Sequence, residues 1–109
     1  MVKSVVNCLT PEHTVMALSG HFNRNTAPGL RKDFLRLARE KGSSRIEIDL
    51  SNAVCSDTAG IAVMVEFVRV VRKQGGQLSF SGIDENTARM ISLSRLDEIF
   101  KNMIVPEKK

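Results

Sequence analysis

Asp57 and Thr58 are the residues of this chain whose types and position point most directly to chemistry. Thr58 begins the run TAGIAVMVEFVRVV, whose apolar spacing predicts a helix, and Asp57 directly precedes it. The first backbone N–H groups of a helix lack partners within it, so the Asp57 carboxylate can accept from them as a cap. The positive end of the helix dipole also suits this place to an added anion, such as a phosphate group on Thr58. Residue chemistry alone favours the capping interpretation, because Asp and Thr are common at helix starts.

Other reactive side chains form no catalytic or metal-binding pattern. His13 and His21 are the nearest candidates for a general base, but no G-x-S-x-G, P-loop or Rossmann motif accompanies them. His21 would approach Thr58 only if its loop flanks the helix start, and a lone loop histidine is more often solvated. Cys8 and Cys55 show no CxxC spacing and are predicted to be small buried hydrophobic residues. We therefore expect no enzyme, no metal site and no cofactor.

Length and composition predict one α/β domain. The 109 residues are 42% hydrophobic and 26% charged, enough to build one core over residues 1–105, with a solvated tail at 106–109. No apolar run is long enough for a membrane span or a signal peptide, so we expect no membrane insertion and a cytoplasmic location.

The formal net charge of +4 invites a nucleic-acid hypothesis, but its distribution argues against direct binding. Basic residues alternate with acidic ones, and the five aromatic residues are all Phe within apolar patterns, which leaves no exposed platform for bases. A mild preference for an acidic partner or for an anionic membrane surface remains open.

The order of predicted elements is ββαβαβα, with a further short helix at the end. A hairpin comes first, and strands then alternate with helices, which predicts a mixed four- to five-stranded sheet with helices mainly on one face. The first helix begins near Thr26, and Asp84 caps a later helix whose inward side chains are Ala88, Ile91 and Leu93. The predicted strands are 2–9, 14–20, 45–50 and 77–83, and the central helix is 58–74.

The central helix presents three faces. Its core stripe comprises Ile61, Met64, Val65, Val68 and Val71, and its solvent stripe comprises Ala62, Glu66, Arg69 and Lys73. A second apolar stripe, formed by Val63, Phe67 and Val70, is either covered by the last helices or contributes to a docking surface beside the helix start.

Several short motifs, in this order and spacing, resemble the STAS family, the fold of bacterial anti-sigma-factor antagonists. They are a strand ending in Asp-Leu, a Thr-x-Gly helix start, a Gly-Gly stop, a strand, and a closing Leu-Asp-x-hydrophobic-Phe. In this chain they read IDL (48–50), DTAGI (57–61), KQGG (73–76), QLSFSGI (77–83) and LDEIF (96–100), and LSGHFNRNTAPGL (18–30) resembles the family's first loop and helix start.

The resemblance implies a switch by phosphorylation. Thr58 occupies the position of the family's phosphorylated Ser or Thr, with Asp57, Ala59, Gly60 and Asn23 as neighbours. An unmodified antagonist binds an anti-sigma factor that is also a serine/threonine kinase; the kinase phosphorylates the hydroxyl and releases the antagonist. The implied partner-binding residues are His21, Asn23, Arg24, Thr58, Ala62, Val63, Glu66 and Phe67.

Two departures from the pattern keep an alternative open. Asn23 stands where many antagonists carry Asp, and the hydroxyl belongs to Thr58 where sigma-pathway antagonists usually carry Ser. The motif is also similar to the STAS accessory subunit of phospholipid-transport ABC systems, which docks on the ATPase subunit. A homodimer also remains open on the sequence.

Overall fold

The chain folds into a hairpin followed by alternating helices and strands. The structure is a computed structural model that describes residues 3–10, 12–41, 45–55, 57–93 and 97–100. The predicted tail at 106–109 lies outside these residues, and the predicted element order is confirmed. The strands are β1 (Lys3–Thr10), β2 (His13–Phe22), β3 (Arg45–Cys55) and β4 (Gln77–Ser81), and the helices are α1 (Ala27–Lys41), α2 (Thr58–Lys73), α3 (Glu85–Leu93) and α4 (Asp97–Phe100).

The four strands form one mixed sheet in the order β1-β2-β3-β4. β1 is antiparallel to β2, whereas β2, β3 and β4 are parallel neighbours. Met16 pairs with Ile48 and Ile48 with Phe80, and all three side chains are buried under the helices. Alternate residues of the same strands are only partly buried, so the helices cover one face of the sheet, as predicted.

β3 continues five residues beyond its predicted end at Leu50. After a register shift between Ala17 and Ser19, its last residues pair with the end of β2, where Phe22 lies opposite Cys55. The polar residues Ser51 and Asn52 break the apolar alternation, which is why the pattern ended too early. The extension brings the carboxyl ends of β2 and β3 side by side.

α2 is the central helix of the covered face. Its five predicted core residues are buried, which confirms the principal stripe. In the second stripe Val63 and Phe67 are buried and Val70 is partly buried. Phe67 packs on α1, where the Phe34 and Phe67 rings stack with centroids 4.3 Å apart at an interplanar angle of 13°. Stacked aromatic pairs add to the stability that burial of their surfaces provides.

The inward face of α3 differs from the prediction. Thr87 and Ile91 are buried, whereas Ala88 is exposed and the Leu93 side chain is 77% exposed, so the prediction was wrong for Ala88 and Leu93. The helix buries a face with four-residue spacing, and Asp84 fixes its start by accepting a 3.0 Å hydrogen bond from the Thr87 N–H.

Gly29 gives a stability prediction for α1. A Cβ atom at this position would meet no atom within 4 Å, and the Gly29 backbone is not in the left-handed region. Gly29→Ala should therefore stabilise the fold by about 0.5–1 kcal/mol, because alanine loses less backbone freedom in a helix. Urea denaturation measures this change; a destabilised variant would mean that Gly29 is needed for a close contact.

Candidate switch site at the start of α2

The candidate site lies where β2 and β3 end together. Phe22 and Cys55 close the parallel pair, and each strand then leads towards a helix: β2 through residues 23–26 into α1, and β3 through Asp57 into α2. The carboxyl ends of parallel strands place successive connections beside each other. The fold thus brings the loop at 23–26 next to the start of α2.

Asp57 is the N-cap of α2, as the capping interpretation predicted. Its backbone is extended, and its Oδ1 accepts from the Ala59 N–H at 2.9 Å. Its Oδ2 accepts from the Arg24 N–H at 3.1 Å. Each carboxylate oxygen therefore holds a different segment, so that Asp57 ties the loop after β2 to the start of α2.

Asn23 stabilises that loop by accepting backbone hydrogen bonds, as Asp57 does at the helix start. Its Oδ1 accepts from the Asn25 N–H at 2.8 Å and from the Thr26 N–H at 3.1 Å. The Thr26 hydroxyl in turn accepts from the Asn23 N–H at 3.0 Å and donates to the His21 carbonyl at 2.8 Å. A neutral amide thus holds the turn before α1 without adding a negative charge near Thr58.

Thr58 is the first residue of α2, and it is exposed. Within the part of the chain that the structure describes, no group forms a hydrogen bond with its hydroxyl. Because the Asp57 carboxylate already caps the helix, the Thr58 hydroxyl is not required for that task. The cap and the accessible hydroxyl are therefore separate residues, and the two interpretations of this segment are compatible.

Gly60 lets α2 pass close to the end of β2. A Cβ atom at this position would lie 2.7 Å from the Phe22 Cβ, closer than real side chains approach, and 3.0 Å from the Cys55 Sγ. Only a residue without a side chain permits this approach, which holds the start of α2 against the sheet. Ala59, the other neighbour of Thr58, is partly buried.

Cys55 lies beneath this site as a buried thiol. Its Sγ donates to the Asp57 carbonyl at 3.2 Å. Burial raises the pKa of the Cys55 thiol to about 11, so the side chain is protonated at neutral pH and is a poor nucleophile. Among the described residues, no group of three or more His, Cys, Asp or Glu side chains could hold a metal ion.

The residues predicted to bind a partner divide into two groups. His21, Arg24 and Ala62 are exposed like Thr58, and Asn23 and Glu66 are partly buried beside them. Val63 and Phe67 do not belong to this surface, because they are buried, at 8% and 1% exposed, and the Phe67 ring stacks on Phe34 of α1. The remaining six residues form what we call the switch surface: His21, Asn23, Arg24, Thr58, Ala62 and Glu66.

Arg31 borders the switch surface and was not foreseen. Its Nε donates to both carboxylate oxygens of Glu66 at 2.9 Å, and a terminal nitrogen lies 2.8 Å from Oε2. Its hydrogen bonds and charge interaction with Glu66 raise the pKa of Arg31 further above its usual range. The two residues are 35 positions apart, so local sequence carries no signal of the pair.

Thr58→Ala tests the separation of cap from hydroxyl. Because Asp57 remains as the cap, the variant should lose about 1 kcal/mol or less in its free energy of unfolding. Chemical denaturation followed by circular dichroism measures the loss. If the variant unfolded or lost several kcal/mol, the Thr58 side chain would have a structural role.

This architecture defines a small α/β domain with a hydroxyl displayed at the start of its central helix. The family model described as "Mlab, STAS domain" matches residues 8–106, so the chain belongs to the STAS family. It is 30% identical over 82 residues to the anti-sigma-B factor antagonist of Bacillus subtilis, a match that covers 75% of this chain and 73% of that protein.

Solved structures share the fold. An anti-sigma factor antagonist from Mycobacterium paratuberculosis matches with a TM-score of 0.78 at 21% identity, covering 98% of this chain and 87% of that one. The Bacillus cell fate determinant SpoIIAA in its phosphorylated form matches with a TM-score of 0.71 at 12% identity, covering 98% and 93%. The mixed sheet predicted from the order of elements is confirmed. None of the helices in the described residues is long and apolar enough to span a bilayer.

Proposed function

We propose that this chain is a regulatory binding protein of the anti-sigma-factor-antagonist type. It binds an anti-sigma factor that is also a serine/threonine kinase, and phosphorylation at Thr58 switches the binding off. The chain is a substrate and a ligand in this cycle and performs no catalysis. The cycle consumes ATP, and we place it in the cytoplasm.

The observation that carries this proposal is the accessible hydroxyl of Thr58. A kinase must bring the hydroxyl oxygen in line with the γ-phosphorus of ATP, which a buried or hydrogen-bonded side chain would resist. Thr58 is exposed at the first position of α2, and its neighbour Asp57 holds the backbone around it. The similar proteins support the same cycle, since they are anti-sigma factor antagonists.

The chemistry of the switch is a transfer and a hydrolysis. The Thr58 oxygen forms a bond to the γ-phosphorus of ATP, the bond to ADP breaks, and the hydroxyl proton leaves to a base on the kinase. A phosphatase then uses water to return the hydroxyl and release inorganic phosphate. No group of this chain other than the threonine needs to react.

The local electrostatics permit the modified state. The phosphate adds close to two negative charges at the amino end of a 16-residue helix, where the dipole favours them. The Asp57 carboxylate opposes them, but both of its oxygens accept backbone hydrogen bonds. The neutral amide of Asn23 adds no further repulsion. The phosphate should therefore change what the switch surface can bind while leaving the fold intact.

The description of the matching family model favours a second candidate function. That model is named for Mlab, and the chain resembles the STAS accessory subunit of phospholipid-transport ABC systems. In that case the switch surface around Thr58 would dock on an ATPase subunit. The two functions share the surface and differ in the partner.

Affinity capture from the native cytoplasm decides between these functions. The unmodified chain and Thr58→Glu are immobilised side by side, and the proteins retained only by the unmodified chain are identified by mass spectrometry. Our proposal expects an ATP-binding kinase of the anti-sigma type and, after addition of ATP, phosphothreonine at position 58. Recovery of an ABC ATPase without phosphothreonine would replace the first function by the second.

A further inference from the structure

α1 holds most of the chain's excess positive charge. Between Ala27 and Lys41 there are five basic and two acidic residues, a net charge of +3 compared with +4 for the whole chain. Elsewhere in the sequence, basic and acidic residues nearly balance. A partner attracted by charge should therefore approach this helix first.

Three of these basic residues share the outer face of α1. Lys32, Arg36 and Arg39 are exposed and follow a spacing of four and three residues, which places them in one row. The opposite face of the helix is buried in the core through Leu30, Phe34 and Leu37. We call the row Lys32, Arg36 and Arg39 the α1 cationic strip.

The strip takes part in no ion pair within the described part of the chain. Its neighbour Arg31 is paired with Glu66, but no acidic residue of the described segments forms an ion pair with Lys32, Arg36 or Arg39. Three like charges at this spacing repel one another weakly and do not stabilise the helix. Binding of an opposite charge would relieve this repulsion.

The surface beside the strip is concave. A groove of about 420 Å³ runs along the first turns of α1, lined by Asn25, Gly29, Lys32, Asp33 and Arg36 among others. Gly29 contributes no side chain, so the backbone of the helix forms part of the floor. Its charged lining consists of two basic side chains, Lys32 and Arg36, and one acidic side chain, Asp33.

The distribution of exposed apolar residues identifies the kind of partner. A membrane-binding helix combines basic residues with apolar side chains that insert into the bilayer. The large exposed hydrophobic residues among those described are Val5, Val6, Val54 and Leu93, and none of them lies on α1. All five Phe residues are buried, which removes the stacking platforms of single-stranded nucleic-acid binding. An acidic polypeptide segment fits a strip that offers charge alone.

The strip is also connected to the switch surface. Arg31, adjacent to Lys32 in the sequence, is held on Glu66 of α2, and Arg24 in the loop before α1 is held on Asp57. A protein that covers Thr58 and Glu66 therefore reaches the side of α1.

We propose that the α1 cationic strip docks an acidic segment of the protein that binds at Thr58. This inference rests on the proposed function for the identity of that protein. Electrostatic attraction at the strip increases the association rate of the two proteins, whereas the state of Thr58 determines the dissociation rate of the complex.

Two variants with equal charge provide the test. The strip variant is Lys32→Gln/Arg36→Gln/Arg39→Gln, and the control variant is Arg69→Gln/Lys73→Gln/Arg89→Gln, whose three residues are also exposed. Glutamine is a good helix former, so both variants should fold. A short oligoglutamate peptide is titrated into each ¹⁵N-labelled protein, and amide shifts are followed by NMR. We expect shifts centred on residues 32–39 of the unmodified chain, kept by the control variant and lost by the strip variant.

Vesicles containing phosphatidylglycerol are the second probe, and the captured kinase is the third. The strip variant should associate with the kinase about 10-fold more slowly at low salt, with little change in dissociation, and the control variant should differ by less than about 2-fold. Absence of peptide shifts, equal effects of the two variants, or binding to vesicles but not to the peptide would each overturn the inference.

The Thr58→Glu variant separates this inference from the proposed function. It leaves the strip intact and should bind oligoglutamate normally while losing the kinase. If Thr58→Glu still bound the kinase, the proposed phosphorylation switch would be contradicted. The oligoglutamate titrations would still decide whether the strip binds an acidic segment. If instead Thr58→Glu did not bind the kinase, and the strip variant and the control variant bound it equally, only the inference about the strip would be contradicted.

Discussion

Thr58→Glu should lower the affinity of the captured kinase by at least about 100-fold. A carboxylate at the first position of α2 places a negative charge where the phosphate would stand, beside Asp57 and inside the switch surface. A charge that is desolvated at an interface without a counter-charge costs several kcal/mol, and about 2.7 kcal/mol corresponds to 100-fold in affinity. Isothermal titration calorimetry with the purified kinase measures the change.

Two matched variants isolate the charge from other effects of the substitution. Thr58→Gln has nearly the same size as glutamate without its charge, and it should bind much more tightly than Thr58→Glu. Thr58→Ser keeps the hydroxyl and should bind like the unmodified chain. Equal binding by Thr58→Glu and Thr58→Gln would mean that size, and not charge, controls the surface.

Gly60→Val should destabilise the fold by about 3 kcal/mol, a large part of the stability of a small domain. The Cβ atom alone would lie 2.7 Å from the Phe22 Cβ, and both Phe22 and Cys55 are buried. Branching at Cβ adds two further atoms to the same place. The start of α2 must then move away from the end of β2, so kinase binding should fall together with stability.

Gly29→Val is the control for this substitution. It makes the same chemical change in a helix, at a place where a Cβ would meet nothing within 4 Å, and it should change the free energy of unfolding by less than about 1 kcal/mol. Urea denaturation of both variants gives the comparison. If the two variants lost equal stability, the close packing of α2 against the end of β2 would not be the reason that Gly60 is required.

Local patterns predicted the elements well because the relevant physics is local. The core stripe of α2 follows from helical spacing, and the cap at Asp57 follows from the unpaired N–H groups of any helix start. The stop after α2 follows from Gly75, which has a φ of +77°. None of these inferences requires knowledge of a distant residue.

Apart from the inward face of α3, the errors concern contacts between distant segments. The full length of β3 depends on pairing with the end of β2 across a register shift, which no alternation within residues 51–55 reveals. The apolar spacing of Val63 and Phe67 indicates that something covers them, but the identity of the cover depends on the packing of α1. The pair between Arg31 and Glu66 arises from the same packing.

At the candidate site, the sequence predicted Asp57 and Thr58 better than the residues that surround them. Thr58 and Asp57 could be identified from the helix start, and the structure separates their roles through the two hydrogen bonds that Asp57 accepts. Arg24 donates to Asp57 through its backbone N–H, so the type of its side chain gave no indication of this contact. The surface prediction failed for Val63 and Phe67, where it required knowing which face α1 leaves open.

The most direct test of the switch is intact-mass spectrometry of the folded protein after incubation with the captured kinase and ATP. We expect the unmodified chain to gain the mass of one phosphate group, fragmentation to place it on Thr58, and the phosphorylated protein to elute separately from the kinase in size-exclusion chromatography. Thr58→Ala, which should remain folded and bind the kinase, should gain no mass. A phosphate at another residue, or a phosphorylated Thr58 that stays bound as tightly as the unmodified residue, would contradict the account.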